Sequence, residues 1–355
     1  MKIDFLIIGQ GLAGSLLAWE LIGRGCNVVV VDSGVENASL IAAGLINPIT
    51  GMRFVKSAEV DTLLPTAKKY YAHLEDFFQE QFFIEKPMLR IFSDEKELLS
   101  AQKRLNNPDY RGYMDHIKPE AGKIGNLLFP FGYLEQTHTG FLLTRPLLNR
   151  LKTFFISRNC YLQTDFSYPD LELNPTLRWG DFSPRQIIFC EGYRSAQNPW
   201  FGWLPFQPVK GEILTLQHQA VLPDKILNYG NWLIPLSDHL VRIGATFDRG
   251  RQDTLPTEQG KNDLLTALNR FVPRSEGLHL INHQANIRPC TPDRHPFVGR
   301  HPEQQQLAIF NGFGAKGSLQ IPWYSIHFAD SLLTNTPIIP SSNLLRYYLV
   351  KPSLE

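Results

Sequence analysis

Gly9, Gly11 and Gly14 form a Gly-x-Gly-x-x-Gly turn after the apolar run Lys2 to Ile8, and an acid, Asp32, follows 18 residues beyond the third glycine. Each residue type has a mechanical use at this spacing. Gly9 permits a tight turn, Gly11 lets a pyrophosphate approach the backbone, and Gly14 lets a helix pack on the strand. Ala13, Leu17 and Leu21 mark that helix, whose free N–H groups and partial positive charge face the phosphates. Leu12 and Ala13 fill the turn. Asp32, followed by Ser33, closes a second apolar strand beginning at Asn27 and is placed to accept hydrogen bonds from a ribose diol. The chemistry that this pattern serves is dinucleotide binding.

A second glycine-rich turn, Gly312-Phe313-Gly314-Ala315-Lys316-Gly317-Ser318, follows the strand Leu307 to Phe310 and leads into a helix expected after Pro322, with Ile326, Ala329 and Leu333 on one face. A plain nicotinamide site has no use for it. A flavin does, because a late helix can aim its N-terminus at the flavin pyrimidine and stabilise negative charge on the N1–C2=O locus of the reduced ring. Small residues also crowd Ser39 to Gly44, including Ala42 and Ala43, which suits backbone packed on a ligand. Glu191-Gly192 ends a buried strand, Gln186 to Cys190, and joins the same set.

The elements that must position these residues alternate along the chain. Expected helices begin at Pro65 (Leu64, Ala67, Tyr71, Leu74 and Phe78 on one face), near 94 to 104, at Thr144 with that threonine as cap, and near 257 to 271. Segments 1–78, 138–205 and 286–355 have α/β character; segments 79–137 and 206–285 are mainly β. The simplest architecture is a Rossmann-like FAD-binding domain interleaved twice with a β-rich, α+β substrate domain. At 355 residues, 43% hydrophobic, 19% charged and net +1, the chain is globular and has no global pull toward nucleic acid or acidic membrane. Cys26, Cys160, Cys190 and Cys290 have no zinc spacing, so buried thiols in a reducing compartment are expected, with no metal. No apolar run approaches the roughly 20 residues of a membrane span, and the expectation is a soluble, cytoplasmic protein.

Four further stretches turn pattern into resemblance. Ser39 with Ala42-Ala43-Gly44, Pro208-Val209-Lys210-Gly211-Glu212, Ile287-Arg288-Pro289-Cys290-Thr291-Pro292-Asp293 running to Gly299, and the late turn accompany Gly9 to Gly14 with Asp32. In this order and spacing the chain resembles the D-amino-acid oxidase/glycine oxidase family of FAD-dependent amine oxidoreductases over essentially its whole length. The resemblance implies an extended FAD and oxidation of a C–N bond by hydride transfer to flavin N5. The imine then hydrolyses, and O2 or another acceptor reoxidises the flavin. It places Arg288 where the family often keeps an arginine for a substrate carboxylate, a group that a guanidinium grips in a bidentate fork. Lys316 would touch flavin or substrate. Arg242, facing opposite to Val241 and Ile243, takes a position like that of the lysine that promotes oxygen reduction in sarcosine oxidases, with a surface role as the alternative. Arg53, after the flavin-contacting stretch, is a further candidate for the substrate. His138 and His295 are read as ordinary polar histidines.

Departures from the family set the remaining expectations. Asn286 falls about where some relatives carry a cysteine tethering FAD, so the flavin is expected to be noncovalent. Ala315-Lys316 replaces the arginine-asparagine pair typical of glycine oxidase, and the turn looks closer to the FAD domain of the bifunctional enzyme trimming carboxymethylaminomethyl groups on tRNA wobble uridine. The leading expectation is an enzyme acting on a small amine or amino acid, N-substituted or glycine-like. Alternatives are the tRNA-modifying oxidase, which the near-zero charge disfavours, and a non-catalytic flavin-binding subunit. A nicotinamide dehydrogenase would leave the late turn without a purpose.

Overall fold

The computed structural model describes residues 1–273 and 278–348. Residues 274–277 of the segment 206–285 and residues 349–355 of the segment 286–355 lie outside the described residues. The strand Lys2–Ile8 presents Phe5 and Ile7 to one hydrophobic core and Leu6 and Ile8 to another. Burial on both faces is why the run is continuously apolar. It sits inside a six-stranded sheet ordered 161–163, 28–32, 2–8, 183–189, 307–311, 297–300. Five of these strands are parallel, and Phe297–Arg300 adds an antiparallel edge.

Helices cover one face of this sheet. These are α1 (Leu12–Gly23), α3 (Val60–Phe78), α5 (Thr144–Ser157) and α7 (Gly317–Thr334), which supply the core, while the short α2 (Ala38–Ile41), α4 (Glu95–Leu105) and α6 (Glu258–Asn269) lie outside this layer. Leu16 and Leu17, Tyr71 and Leu74, Leu147 and Leu151, and Phe328 and Leu332 are all nearly inaccessible there. Truncating any one of the leucines to alanine is expected to cost about 2–5 kcal/mol.

The second large sheet has eight strands, ordered 279–290, 207–217, 240–244, 232–237, 226–228, 88–91, 133–136, 114–118. Neighbours are antiparallel except 226–228 with 88–91. Helix α6 covers it through Leu264 and Leu268. The strand 207–217 ties down the segment leading into α6. Fully buried Lys210 donates to Asp253 at 2.6 Å and to the Leu255 carbonyl at 2.5 Å. Buried Glu212 accepts from the Thr257 N–H and hydroxyl at 2.9 and 2.8 Å. The mixed α/β class and the Rossmann-like sheet agree with the pattern of the residues.

Three helix starts differ from expectation. Helix α3 begins at Val60 and carries Pro65 inside it. Thr144 lies within α5 instead of capping it, and its hydroxyl donates to the Ala42 carbonyl at 3.3 Å. Helix α7 starts at Gly317, well before Pro322. A proline there removes the N–H that would meet the Ser318 carbonyl, and the buried Tyr71 hydroxyl donates to that carbonyl at 2.7 Å. The helix therefore runs back to the glycine turn. Leu333 is 38% exposed, so the buried face of α7 runs instead through Tyr324, Phe328 and Leu332.

Candidate active site

A cavity of about 830 Å³ opens where the carboxyl ends of the parallel strands meet the eight-stranded sheet. Ile8, Asp32, Thr164, Cys190 and Asn311, each at or just past the end of a different parallel strand, line it. Open α/β sheets bind ligands in this crevice, and the volume falls within the roughly 300–1,000 Å³ of small-molecule and cofactor sites.

The first turn is built by close approach. Gly9 has φ +104°, and a Cβ placed on it would stand 2.6 Å from the Cys190 carbonyl oxygen; one on Gly14 would press on the Gly9 carbonyl oxygen. Only glycines let the turn and α1 nest against Cys190 in this way. Asp32 is oriented by two backbone donors, Gln10 N–H at 2.8 Å and Gly34 N–H at 2.7 Å. Each oxygen keeps acceptor capacity for a ligand hydroxyl. Ser39 accepts from the Leu12 N–H at 3.0 Å and so joins the start of α1 to α2. Gly9, Gly11, Leu12, Ala13, Asp32, Ser33, Ser39, Ala42, Ala43 and Gly44 all border the cavity.

The late turn reaches the same space. Gly314, Ala315, Lys316, Gly317 and Ser318 line the cavity, and the N-terminus of α7 is therefore at its wall. The Lys316 ammonium donates to Ser57 at 3.0 Å, and burial followed by the charge of Arg294 lowers its pKa. Glu191 and Gly192 border the cavity as well. The Glu191 carboxyl receives the Tyr168 hydroxyl at 2.6 Å and the Asn198 amide at 2.9 Å, while burial raises its pKa.

Arg288 enters from the strand 279–290. Its guanidinium lies over Gly211 and donates to the Thr246 carbonyl at 3.3 and 3.4 Å. Burial lowers its pKa, and among the described residues no carboxylate pairs with it. Guanidinium does not lose its proton in proteins, so Arg288 is a desolvated cation facing a cavity. Such a group favours an incoming anion.

Four sequence-predicted residues lie elsewhere. Gly14 and Gly312 do not border the cavity and pack on protein instead, Gly312 against Thr291. Arg53 is exposed, because the turn at 51–54 directs Phe54 inward in its place. Arg242 points at α2, where it donates to the Ile41 carbonyl at 2.9 Å and the Ala42 carbonyl at 3.4 Å. That guanidinium braces the loop 42–44 and does not line the cavity. Arg194, in the short helix Gly192–Gln197, lines the cavity without having carried an expectation, as does Arg90, in the strand Met88–Ile91. The only signal of Arg90 was a lone cation between Leu89 and Ile91. Among the described residues there is no cluster of three or more His, Cys, Asp or Glu fit for a metal, and no helix long and apolar enough to cross a membrane. The four cysteines are unpaired.

The glycine cradle, the strand-end acid Asp32 and the second turn at one cavity fit an extended dinucleotide such as FAD. A family model described as FAD dependent oxidoreductase matches residues 4–331. The glycine oxidase of Geobacillus kaustophilus is 30% identical over 352 residues, covering 93% of this chain and 92% of that protein. Its crystal structure superposes with a TM-score of 0.81 over 96% of this chain and 98% of that one, at 21% identity across the structural match. The glycine oxidase of Pseudomonas putida is 21% identical over 361 residues, 96% of this chain and 97% of the relative. A tRNA 5-methylaminomethyl-2-thiouridine biosynthesis bifunctional protein of Idiomarina loihiensis is 23% identical over 338 residues, 90% of this chain but 54% of that protein.

Proposed function

Because this chain belongs to the D-amino-acid oxidase/glycine oxidase family of FAD-dependent oxidoreductases, we propose that it oxidises the C–N bond of a small carboxylated amine or amino acid. It is an FAD-dependent amine/amino-acid oxidoreductase; its substrate, mechanism and residue roles are our reading. FAD, held noncovalently, would supply a two-electron acceptor for the hydride on the carbon bearing nitrogen, and the amine so oxidised to an imine is hydrolysed by water. The residues Gly9 to Ala13 would hold its pyrophosphate, Asp32 its ribose, and the 42–44 loop with the start of α7 its ring. Reoxidation falls to O2 or another acceptor.

Arg288 holds the substrate carboxylate and so fixes the reacting C–H. Positioning of this kind supplies much of the rate in a reaction that needs little proton transfer. Lys316 adds a cation at the N-terminus of α7, where helix dipole and ammonium together favour negative charge. In this reading segments 1–78, 138–205 and 286–355 form the cofactor domain, and 79–137 and 206–285 the substrate domain. The observation that carries the proposal is Arg288, a desolvated guanidinium without a carboxylate partner among the described residues, at a cavity reached by both glycine turns.

The test is an anaerobic titration of the yellow holoprotein, followed at the flavin band near ~450 nm. Glycine, sarcosine and D-amino acids are expected to bleach it. Bleaching by modified tRNA alone would transfer the assignment to the activity named for the Idiomarina relative, half of whose length this chain spans. A chain that binds FAD but is bleached by no amine is a flavin-binding subunit.

A further inference from the structure

The cavity wall formed by the eight-stranded sheet carries a second arginine, Arg90, besides Arg288. Register places Arg90 opposite Asn228, Asn228 opposite Trp232, Trp232 opposite Gly244 and Gly244 opposite Ile213. Directly opposed residues share a face of a sheet. Arg90, Asn228, Trp232 and Ile213 all line the cavity, so this row is its floor. Arg288 shares that face, four residues along from Gln284, the partner of Ile213.

Arg90 is only 3% exposed. Its Nη2 donates to the Gly51 carbonyl at 3.2 Å and forms an ion pair with the buried Glu97 carboxylate at 3.7 Å, longer than a hydrogen bond, while its buried Nε has no hydrogen-bond partner. Phe54 lies against the guanidinium, 4.9 Å from ring centre to Cζ. The Glu97 carboxylate meanwhile accepts from the Ser93 N–H at 2.9 Å. The cation is therefore held in place, its charge answered by Glu97 at ion-pair distance, with hydrogen-bond donor capacity left over.

The carboxylates bordering the cavity are Asp32, Glu36, Asp165 and Glu191, all from segments following strands of the six-stranded sheet. None comes from the eight-stranded sheet. The strands of Arg90 and Arg288 stand five places apart, about 24 Å of hydrogen-bonded width. Even with both side chains reaching inward, they are set to grip separate groups and not one.

Resting on the amine-oxidase reading above, we propose that the substrate is dianionic: an amine with one carboxylate on Arg288 and a second acidic group, at the far end of an extended chain, on Arg90. Arg90 is a specificity residue in this proposal. It selects the distal acid and takes no part in hydride transfer.

The test uses holoprotein and pairs of N-substituted glycines, N-(ω-carboxyalkyl) against the N-alkyl compound of equal length, over a series of linkers. A charged buried hydrogen bond of about 1.5–3 kcal/mol predicts about a tenfold to hundredfold preference in kcat/KM for the diacid at the best linker. Arg90→Gln is expected to reduce that ratio to near one, and Arg90→Lys to retain part of it. Equal rates for diacid and monoacid at every length, or a preference that survives Arg90→Gln, would overturn the proposal. A binding arm separates this from failure of the underlying reading. Thioether diacids, with sulfur in place of the amine nitrogen, cannot be oxidised as amines, and their perturbation of the flavin spectrum reports affinity alone. A tenfold tighter diacid that loses its advantage in Arg90→Gln supports the subsite even if no amine bleaches the flavin. Equal affinities refute it even if glycine and sarcosine do.

Discussion

Gly211→Ala tests the assignment of Arg288 without touching the arginine. A Cβ built on Gly211 stands 2.5 Å from Cζ and 2.8 Å from Nη1 of Arg288, and closer still to Nη2. Ordinary contact between such atoms begins near ~3.5 Å, so the guanidinium must withdraw by about 1 Å. It is the far end of a flexible side chain, and Gly211 lies in a regular strand without positive φ. The fold should therefore survive, and the lost chain entropy of glycine should help it slightly. The fork, however, no longer meets a carboxylate squarely. Losing a charge-assisted hydrogen bond removes about 1.5–3 kcal/mol, and a misplacement of ~1 Å can cost ~100-fold in rate. We expect kcat/KM for a carboxylated amine to fall about 10–100-fold, FAD content and thermal midpoint to hold, and the loss to be far smaller for an amine lacking the carboxylate. The decisive assay is a double-mutant cycle by stopped-flow flavin reduction. In an Arg288→Met background, Gly211→Ala should do almost nothing. An equal loss in both backgrounds, or no loss at all, would refute the claim that this guanidinium holds substrate.

Asp32→Ala should weaken FAD about 10–100-fold by fluorescence titration, since it removes a charged acceptor along with the group holding the Gln10 and Gly34 N–H. Gly14→Val should yield colourless or insoluble protein, because its Cβ meets backbone that cannot yield, the Gly9 carbonyl; a normal flavin content would contradict this packing of the turn. Burial raises the Glu191 pKa, so the folded state binds more protons than the unfolded one just above the usual carboxylate range. Stability from this group therefore falls as pH rises through that range to the shifted value. Glu191→Gln should flatten that slope in thermal midpoints measured from pH 4 to 7 with saturating FAD, and an unchanged slope would remove Glu191 as its source.

Part of this protein is written locally. Each glycine turn is specified by a handful of consecutive residues, and an acid at a strand end needs only that strand to aim it. Both turns and Asp32 could therefore be read from residue order, as could the strand 2–8 and the strand expected at 186–190 and found at 183–189, whose apolar runs match burial on both faces. Helix ends were less readable, because the partner that let α7 extend back past Pro322 is Tyr71, far away in the chain. The surroundings of the arginines were not readable locally. Arg53, Arg90, Arg242 and Arg288 are chemically identical cations in short, mostly apolar neighbourhoods. Strand register and the packing of α2 on the eight-stranded sheet engaged Arg242 with carbonyls and set Arg90 on the same face as Arg288, while the turn at 51–54 left Arg53 exposed. A guanidinium's role depends on what stands within a few ångströms of it, and in this fold those neighbours come from segments tens to hundreds of residues away.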